Sequence, residues 1–438
     1  MEIMEKFELE VRKLFPHVSF HPLERKIYSH DISVIPKYIE KVAFSEAEAI
    51  IQPESVEDVK QILRISKEHS KPIVPRGSAT SGYGGVIPVR GGIVVDFSRM
   101  NRFEIDEEEK TVRSEPGAIW WDIQKEARKK NLSLRVYPTS AISSTVGGWI
   151  AQGGIGVGST MFGGIGDNVE EIEIVDFEGN KKVGKDGLKY YVGMEGTTGL
   201  ITSAKVKLME YKEEFPLAIH VGSVLEAIKI IEGGKPYSAM LMSSEFFRMM
   251  NEVKGTDFEE KDTLLTVYLG ETEVGGVKTY EAHEAYEAYD LWDDRFFPLR
   301  IKKKGPSLVS VEVLVPFENL EAFYKEVERK LTANYAVQTC FSRKGANVIV
   351  LIPSDEREKK FTRDWKTAFK LLKIGMKLGG KPYATGLYLS HLSKKVMEDY
   401  EELEKFKRKV DGRNLLNPGK IFPQGKLPML MKVASLVI

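Results

Sequence analysis

Cysteine is nearly absent from this sequence, since Cys340 is the single one among 438 residues. One thiol cannot form an intrachain disulfide, and it cannot supply the ligand set of an iron–sulfur cluster or of a structural zinc site. We therefore expect any redox chemistry of this chain to be carried by an organic cofactor.

An excess of charge of one sign is also missing. Lys plus Arg and Asp plus Glu each number 64, so the formal net charge is zero. A balanced chain lacks the general basic surface that is typical of nucleic-acid-binding proteins. We expect no nucleic-acid partner.

Long apolar runs are absent from both ends of the chain. The start, "MEIMEKFELEVRKLF", is acidic throughout and lacks the apolar core of a secretory signal, which predicts an amphipathic helix in a cytoplasmic protein. The end, "QGKLPMLMKVASLVI" (424–438), is too short to cross a bilayer, which takes about 20 apolar residues. Three roles stay open for it: docking on a partner protein, peripheral contact with the inner membrane face, and packing on the protein's own core.

Glycine is concentrated in two places. The first, "PRGSATSGYGG" (75–85), holds four glycines, three Ser or Thr hydroxyls and one Arg directly after the apolar "KPIVP". Without side chains in the way, consecutive backbone N–H groups can turn toward an anion such as a phosphate. A surface turn between two strands is the plain alternative.

The second concentration, "GGWIAQGGIGVGSTMFGGIG" (147–166), holds nine of the 38 glycines. Apolar residues are interleaved with them, unlike in a flexible linker, which is rich in Gly and Ser and polar. We expect this segment to be buried, with its backbone against a flat ligand or against another chain segment.

The segments around these glycines alternate between helix and strand. "SVEDVKQILRISKEHS", from Ser55, has a cap residue and helical spacing, and "PIVP" after it resembles a strand, so the pattern predicts a β–α–β opening. "KTVRSEP" predicts a further strand and "GAIWWDIQKEARKKN" a helix. The chain is predicted to be mixed α and β.

Two common nucleotide-binding motifs fail against this sequence. Gly154, Gly156 and Gly158 are spaced G-x-G-x-G, whereas the Rossmann fingerprint is G-x-G-x-x-G. "GNKKVGKD" (179–186) has the glycine and lysine spacing of a P-loop, but Asp186 stands where a hydroxyl must reach magnesium. It follows a strand-like run, so we predict a polar hairpin there.

The order of four segments carries a resemblance to a known family. "KPIVPRGSATSGYGG", "GGIVVDFSRMNRF", "VYPTSAISSTVGGWIAQ" and "VGMEGTTGLITSAKVKL" together resemble the FAD-binding domain of the vanillyl-alcohol oxidase/p-cresol methylhydroxylase family. Within that family, the segments resemble the branch of the glycolate oxidase FAD subunit and D-lactate dehydrogenase. The resemblance covers about residues 40–210 and returns in "GRNLLNPGKIFP" (412–423).

This resemblance implies an α+β fold, with a two-subdomain FAD-binding domain of the vanillyl-alcohol oxidase type and an α+β cap domain. The implied organisation is an N-terminal helical segment (1–40), the FAD-binding domain (41–211), the cap or substrate domain (212–405), and a C-terminal segment (406–438) that returns to the FAD-binding domain.

The resemblance also implies which residues contact FAD, with the first glycine-rich loop wrapping the pyrophosphate. The implied contacts are Pro75, Arg76, Gly77, Ser78, Ala79, Thr80, Ser81, Gly82, Pro138, Thr139, Ser140, Thr145, Gly147, Gly148, Ser159, Ile201 and Asn417. The Asn usual in the middle glycine-rich segment falls on Gly153 here. Some relatives attach the flavin through His or Cys, but this domain has neither between His69 and His220, so we expect noncovalent FAD.

Catalytic residues are implied in the cap. "DLWDDRFFPLR" is similar to the W-x-x-R segment of the branch, whose Arg pairs with the substrate carboxylate, and this places the role on Arg295. The branch's His-rich metal motif and its Glu-His pair have no counterparts in "CFSRKGANVIVLI" and "GGKPYATGLYLSHLSKK", so no metal site is predicted. Tyr383 and His391, beside Tyr388 and Arg343, are candidates for accepting the substrate's hydroxyl proton.

The resemblance therefore implies an FAD-linked enzyme that dehydrogenates a small 2-hydroxy acid, with an iron–sulfur or quinone-linked partner as electron acceptor. A catalytically silent FAD-binding companion subunit of a respiratory dehydrogenase is the alternative, and the missing metal motif favours it. The non-redox alkyl-glycerone-phosphate synthases share the fold, but their His-rich active segment is not found here.

Overall fold

The computed structural model describes residues 6–37, 40–41, 44–274, 277–278, 286–331 and 334–425. The C-terminal segment for which docking was predicted, 424–438, lies outside the described residues from position 426 onward. Within the described part of the chain, no helix combines the length and apolarity needed to cross a membrane.

The first sheet is formed by the beginning of the chain. Its order is β1-β2-β4-β3, with β2, β3 and β4 parallel and β1 antiparallel to β2; the strands are β1 Val18–Ser19, β2 Ala49–Ile51, β3 Ile73–Arg76 and β4 Ile93–Asp96. Helices α1 Lys6–Leu14 and α2 Pro22–Tyr28 precede β2, and α3 Val56–His69 connects β2 to β3. Ser55 and Asp58 form a capping box that starts α3. The predicted β–α–β opening is confirmed.

The second sheet follows directly and is antiparallel. Its order is β5-β6-β10-β8-β9, and β7 pairs with the end of β10; the strands are β5 Phe103–Asp106, β6 Thr111–Ser114, β7 Leu132–Leu134, β8 Val169–Asp176, β9 Gly179–Gly184 and β10 Leu200–Glu210. The helices of this region are α4 Trp120–Lys129, α5 Val146–Gln152, α6 Ser159–Phe162 and α7 Ile165–Asn168. β8 and β9 form the polar hairpin that the sequence predicts.

The second glycine-rich segment packs against protein. A Cβ on Gly156 would lie 2.3 Å from the carbonyl oxygen of Tyr137, and one on Gly158 would lie 2.0 Å from that of Arg135. Val157, between them, forms a β-bridge with Tyr137. Of the two environments left open by the sequence, these two glycines therefore face another chain segment.

The third sheet forms the cap and is antiparallel throughout. Its order is β11-β13-β12-β17-β18-β16-β19, with β11 Glu214–His220, β12 Ser238–Met242, β13 Thr263–Leu269, β16 Ser307–Val315, β17 Ala336–Ser342, β18 Gly345–Ser354 and β19 Lys381–Pro382. A separate two-stranded pair consists of β14 Glu273–Val274 and β15 Val277–Lys278. The helices are α8 Val224–Gly234, α9 Ser244–Lys254, α10 Tyr286–Asp293, α11 Phe317–Lys330 and α12 Lys359–Lys377.

The last segment that the structure describes lies against the first and second sheets. After α13 Ser393–Val396 and α14 Tyr400–Val410, Leu416 forms a parallel β-bridge with Ile73 of β3. Lys407 on α14 is 2 % exposed, and its Nζ donates to the carbonyl oxygens of Thr197 and Leu416 at 2.7 and 2.9 Å. This segment therefore holds the loop before β10 and the start of β3 together.

Candidate cofactor and substrate site

The site is a cavity of about 780 Å³ between the first two sheets and the cap. That volume is near the upper end of the range for small-molecule and cofactor sites. Its lining includes all the predicted FAD contacts except Ser159 and Asn417. The cavity therefore brings together loops that lie far apart in the sequence.

One wall begins where parallel strand β3 ends, the edge at which ligands bind in open parallel sheets. Ala79, inside this loop, has a positive φ of 53°, which L-residues adopt only when the surroundings require it. Within the described chain, no hydrogen bond to protein takes up the backbone N–H groups of Ser78 to Gly82. These groups are donors for an anion.

Arg76, at the base of this loop, is directed away from it. Its Nη1 donates to the carbonyl oxygens of Tyr28 and His30 at 3.2 and 2.7 Å, and its guanidinium lies 5.1 Å from the centre of the Tyr28 ring. Burial lowers the pKa of Arg76. The side chain fixes the N-terminal segment beside the loop.

A second wall comes from the chain around α5. Thr145 caps this helix by accepting a hydrogen bond from the Gly148 amide at 3.3 Å, and its Oγ1 would be 2.2 Å from a Cβ added to Gly77. Gly147 is closed in from the other side, because its Cβ would lie 2.6 Å from the Pro116 side chain. Glycine at 77 therefore allows the two walls to approach each other, and glycine at 147 allows α5 to pack on Pro116.

Polar atoms without partners face this cavity. Ser144 Oγ and Glu195 Oε2 are buried, and neither finds a hydrogen-bond partner among the described residues. Together with the open amides of the first loop, they provide a donor and acceptor set for a polar dinucleotide. The residues present fit FAD.

The third wall is the cap sheet. Along strand β16, Val309 and Val313 belong to the cap's hydrophobic core, Ser310 and Glu312 line the cavity, and Val311 does both. Asn347 lies beside Glu312 on β18, and its Nδ2 donates to Glu312 Oε2 at 3.3 Å. This wall is more polar than a core-facing sheet surface.

Burial shifts the pKa values of the titratable groups in this wall. Burial raises the pKa of Glu312 to about 7, although hydrogen bonds from Asn347 and from the Tyr83 hydroxyl oppose the shift. Burial also raises the pKa of Cys340 to about 12, and the negative charge of Glu312 adds to it. At neutral pH the Cys340 thiol is protonated.

Two predicted FAD contacts lie outside the cavity lining. Ser159 is buried at the start of α6, where its Oγ accepts the Gly156 amide at 3.0 Å. Asn417 is buried behind the wall, and its Nδ2 donates to the carbonyl oxygens of Gly85 and Glu195 at 2.9 and 2.7 Å. Both side chains are occupied in holding loops that do line the cavity.

Arg295 also lies outside the main cavity. It is 5 % exposed, its Nε donates to the Tyr137 hydroxyl at 3.3 Å, and its guanidinium lies 3.9 Å from the ring centre of Trp292 and 4.2 Å from that of Phe296. The structure does not bring this group to the cavity, because the aromatic rings enclose it. On the same segment, Arg300 and Lys302 line the cavity instead.

The candidate proton acceptors divide between the cavity and other places. Tyr383 lines it, but its hydroxyl is held by both backbone groups of Ile155, at 3.0 Å from the N and 3.1 Å from the O. Tyr388 lines it too, with its hydroxyl 2.5 Å from Ser33 Oγ. His391 stacks on Phe369 behind the lining, and Arg343 is exposed with its Nε on the Met161 carbonyl oxygen at 2.7 Å.

Sequence reasoning missed the two acids of the cavity, Glu195 and Glu312. Burial raises the pKa of Glu195, whose Oε1 accepts from the Gly386 amide at 2.9 Å. Glu312 left a signal in the sequence, since it is the one charged residue in the strand-like run "SLVSVEVLVP". A charge in an apolar strand usually marks a functional position or a paired group.

Groups that could hold a metal ion lie elsewhere. Within the part of the chain that the structure describes, one cluster of three potential ligand residues occurs, formed by Glu10, Glu68 and His69 on α1 and α3. None of these lines the cavity. No metal-ligating set is found among the described residues of the cavity.

Comparison with known proteins gives matches along most of the chain. The family described as FAD binding domain matches residues 47–182, and the family described as FAD linked oxidases, C-terminal domain, matches residues 226–421. The chain is 28 % identical to the glycolate oxidase subunit GlcD of Bacillus subtilis, over 91 % of this chain and 92 % of that one. It is 24 % identical to the mitochondrial D-lactate dehydrogenase [cytochrome] of Arabidopsis thaliana, over 86 % and 73 %.

The fold has a solved counterpart. The structure of p-cresol methylhydroxylase with substrate bound superimposes with a TM-score of 0.75 at 17 % identity, covering 95 % of this chain and 96 % of the other. An FAD-binding domain and an oxidase C-terminal domain occur here in one chain and in this order. The protein is an FAD-linked oxidoreductase that consists of an FAD binding domain and a C-terminal domain of FAD linked oxidases, and it has the fold of p-cresol methylhydroxylase.

Proposed function

We propose that this flavoprotein dehydrogenates a small 2-hydroxy acid and passes the electrons to an external acceptor. The observation that supports the substrate class is the composition of the cavity, where a glycine- and hydroxyl-lined wall opposes a cap wall with a carboxylate, amides and nearby cations. The names of the relatives, a glycolate oxidase subunit and D-lactate dehydrogenases, favour the same class.

In this proposal the backbone amides of Ser78 to Gly82 hold the FAD pyrophosphate, and the segments at Pro138 to Ser140 and Thr145 to Gly148 lie along the cofactor. Bound flavin supplies a two-electron acceptor for hydride. The remaining tasks belong to the chain: it orients the substrate, takes up a proton and excludes water from the cavity.

We propose that the FAD is noncovalent. Cys340 lines the cavity, but its raised pKa keeps the thiol protonated and therefore poorly nucleophilic. No His lines the cavity among the described residues. Acid precipitation is expected to release the yellow colour into the supernatant, and colour that stays with the precipitate would contradict this.

Arg300 is the group that we propose for the substrate carboxylate. It lines the cavity, its Nη1 is fixed by Asp294 at 2.9 Å, and its guanidinium lies 4.4 Å from the ring centre of Phe297. A guanidinium held at one nitrogen still offers donors in a fixed plane to a planar carboxylate. The anchoring role of Arg295 stays a prediction beside this one.

The test of the function is anaerobic reduction of the purified holoenzyme. Addition of D-lactate, L-lactate and glycolate, one at a time, is expected to bleach the visible flavin absorbance with at least one of them. Succinate, which lacks the hydroxyl group, is the control and is expected to leave the spectrum unchanged. If no acid bleaches the flavin while dithionite does, the proposed function is wrong.

That outcome would favour the second candidate, a catalytically silent FAD-binding companion subunit. The observation behind it is that no His lies among the cavity-lining residues that the structure describes. A silent subunit is expected to bind FAD and remain oxidised with every acid. The partner, an iron–sulfur or quinone-linked protein in either case, is part of the proposal.

A further inference from the structure

We propose that the Glu312 carboxylate accepts the hydroxyl proton of the substrate, and that Tyr83 and Asn347 position it for this task. The proposal rests on the proposed function, because it names the base for that reaction. It replaces a metal-bound or His-based acceptor with a carboxylate on a rigid strand of the cap.

The step is a two-electron oxidation of a secondary or primary alcohol. The O–H proton goes to a Glu312 carboxylate oxygen as the substrate's C–H bond breaks, and bound FAD would supply the two-electron acceptor for that hydrogen and its electron pair. A C=O bond forms at the same carbon, so the product is a 2-oxo acid. The cofactor is the oxidant, and no further co-reactant is needed.

The placement of Glu312 supports the role. It stands in the middle of β16 with its cross-strand neighbour Ile349 also in the cavity lining. Asn347 donates one hydrogen bond to it, and the Tyr83 hydroxyl, from the glycine-rich loop of the first sheet, donates another. Two donors from two domains fix the carboxylate at the boundary between cofactor wall and cap wall.

A further atom beside Glu312 points to a ligand. Asn347 is 3 % exposed, and within the described chain its Oδ1 has no hydrogen-bond partner although it is buried beside the cavity. A buried acceptor without a partner costs free energy that a bound donor would recover. A hydroxyl group bound between Asn347 and Glu312 would supply this donor and present its proton to the carboxylate.

The other titratable groups that line this part of the cavity are less suited. The Tyr383 hydroxyl already donates to and accepts from Ile155. Tyr388 is held by Ser33, and burial raises its pKa well above the ordinary value. The Cys340 thiol stays protonated at neutral pH.

Glu195 is the second acid, but it belongs to a different part of the cavity. Its Oε2 would lie 4.0 Å from a Cβ on Gly85, and its neighbour Gly196 packs on Pro75. It therefore borders the loop proposed for the pyrophosphate. A protonated Glu195, which burial favours, can donate a hydrogen bond there.

The electrostatic surroundings of Glu312 agree with a base that works near neutral pH. The titratable groups facing it are Tyr83, Tyr383 and Cys340, all three of which have raised pKa values, with Glu195 beyond Tyr83. The carboxyl thus has no cationic partner among the groups that shift it, and burial dominates. A general base is most effective when its pKa lies near the working pH.

The decisive variant is Glu312→Gln in the FAD-loaded, full-length enzyme, with Glu318→Gln as matched control. Glu318 is exposed in the first turn of α11, so Glu318→Gln makes the same chemical change outside the cavity. Glu312→Gln is expected to retain FAD and to slow anaerobic flavin reduction by about 100-fold or more, as loss of a general base does. Glu318→Gln should reduce at the wild-type rate, and Glu312→Asp should recover part of the loss.

Two pH measurements separate a base from a structural residue. The wild-type reduction rate constant is expected to rise with pH through the pKa of Glu312, near 7, and this rise should be missing from Glu312→Gln. Tyr83→Phe removes a hydrogen bond that lowers this pKa, so its profile should shift to higher pH.

The second measurement is thermal unfolding without substrate. Because the folded state holds the Glu312 proton to higher pH than the unfolded chain does, wild type should lose stability relative to Glu312→Gln between about pH 5 and pH 8. A difference in unfolding temperature that stays constant over this range would overturn the proposal.

The remaining outcomes are also distinct. If wild type and Glu312→Gln are reduced at the same rate, the proposed function stands and Glu312 is not the base. If none of the hydroxy acids reduces wild type, the proposed function and this inference fall together.

Discussion

At the residue scale, position 77 leaves less space for a side chain than the sequence suggests. The glycine-rich loop predicts that backbone must approach a phosphate, but the structure adds a contact within the protein, since a Cβ at 77 would lie 2.2 Å from Thr145 Oγ1. Even Ala is therefore too large at this position, whereas the sequence alone required only that branched residues be avoided.

Gly77→Ala is expected to push the first loop away from α5 and to yield mostly apoprotein, measured as the ratio of flavin absorbance to protein absorbance. Adding Thr145→Ala removes the clashing oxygen and should restore FAD, at a cost of about 1 kcal/mol for the lost helix cap. Gly184→Ala, at a position with nothing within 4 Å, is the control. Full flavin content in the single Gly77→Ala variant would show that the walls are not held at this point.

Arg295 and Arg300 lie on one segment, and two measurements should distinguish their roles. Arg295→Ala leaves the Tyr137 hydroxyl without its partner and empties an aromatic cage, so the free energy of unfolding should fall by about 2–4 kcal/mol in a denaturant titration. Arg300→Gln should leave stability and FAD content unchanged and raise KM for the hydroxy acid. If instead Arg295→Ala stays stable and alone abolishes flavin reduction, Arg295 is the anchor and Arg300 is not.

At the scale of elements, the local sequence signals worked where an element is amphipathic and capped. The helix from Ser55, the helix before Asn131 and the hairpin of β8 and β9 formed as predicted. Their boundaries follow from side chains within a few residues, as with Ser55 and Asp58 at the start of α3. Such contacts are local, so a single sequence is enough to locate them.

Helix α14 depends on contacts that no local pattern predicts. Its Lys407 is buried, is 2.5 Å from Asp411 and donates to two backbone carbonyl oxygens from other segments. Burial lowers its pKa to about 8. In the sequence it is one of several lysines in "EKFKRKV", and nothing distinguishes it from its exposed neighbours.

Lys407→Met is expected to lower the free energy of unfolding by about 3–5 kcal/mol, because it leaves Asp411 buried without its cation. Lys409→Met, an exposed position two residues later on α14, is the matched control and should cost less than about 0.5 kcal/mol. Both values come from denaturant titrations of the holoenzyme. Equal stabilities of the two variants would mean that α14 and the segment after it are not held by this pair.

At the scale of the whole molecule, we propose that the electrons leave this chain for an external acceptor. The chain has no Rossmann fingerprint and one Cys, so an internal relay is not expected from the sequence. We propose that residues 424–438 contribute to contact with the acceptor. Ile421 and Phe422, just before this segment, are buried with Tyr400, so the folded core reaches at least to this point.

A chain ending at Pro423 is therefore expected to keep FAD and to be reduced by substrate at the wild-type rate. Turnover with an artificial dye should be unchanged, while turnover with isolated membranes or the purified partner as acceptor should be lost. The ratio of the two rates is the measurement, and full-length protein is the control. Unfolding or loss of flavin in the shortened chain would assign the segment to the protein's own core.

The sequence by itself determined the cofactor and the kind of enzyme, and it located most of the residues that line one side of the cavity. Those conclusions depend on short contiguous stretches, such as Pro75–Gly85 and 138–148, whose backbone must approach a ligand. Their glycines and hydroxyl residues can be recognised directly in the sequence. It also excluded disulfides and clusters, because that needs only a count of cysteines.

Only the tertiary structure decided which side chains face the cavity and which hold its walls. Glu312 faces the cavity and Arg295 does not, and Ser159 and Asn417 support loops instead of lining the site. The position of Glu312 depends on the pairing of β16 with β18, which joins residues more than 30 positions apart. It also depends on the loop of Tyr83, which lies more than 200 positions from Glu312 in the sequence. Burial at such contacts also sets the pKa of Glu312, because desolvation depends on every segment packed around the carboxyl and no single stretch of sequence contains them all.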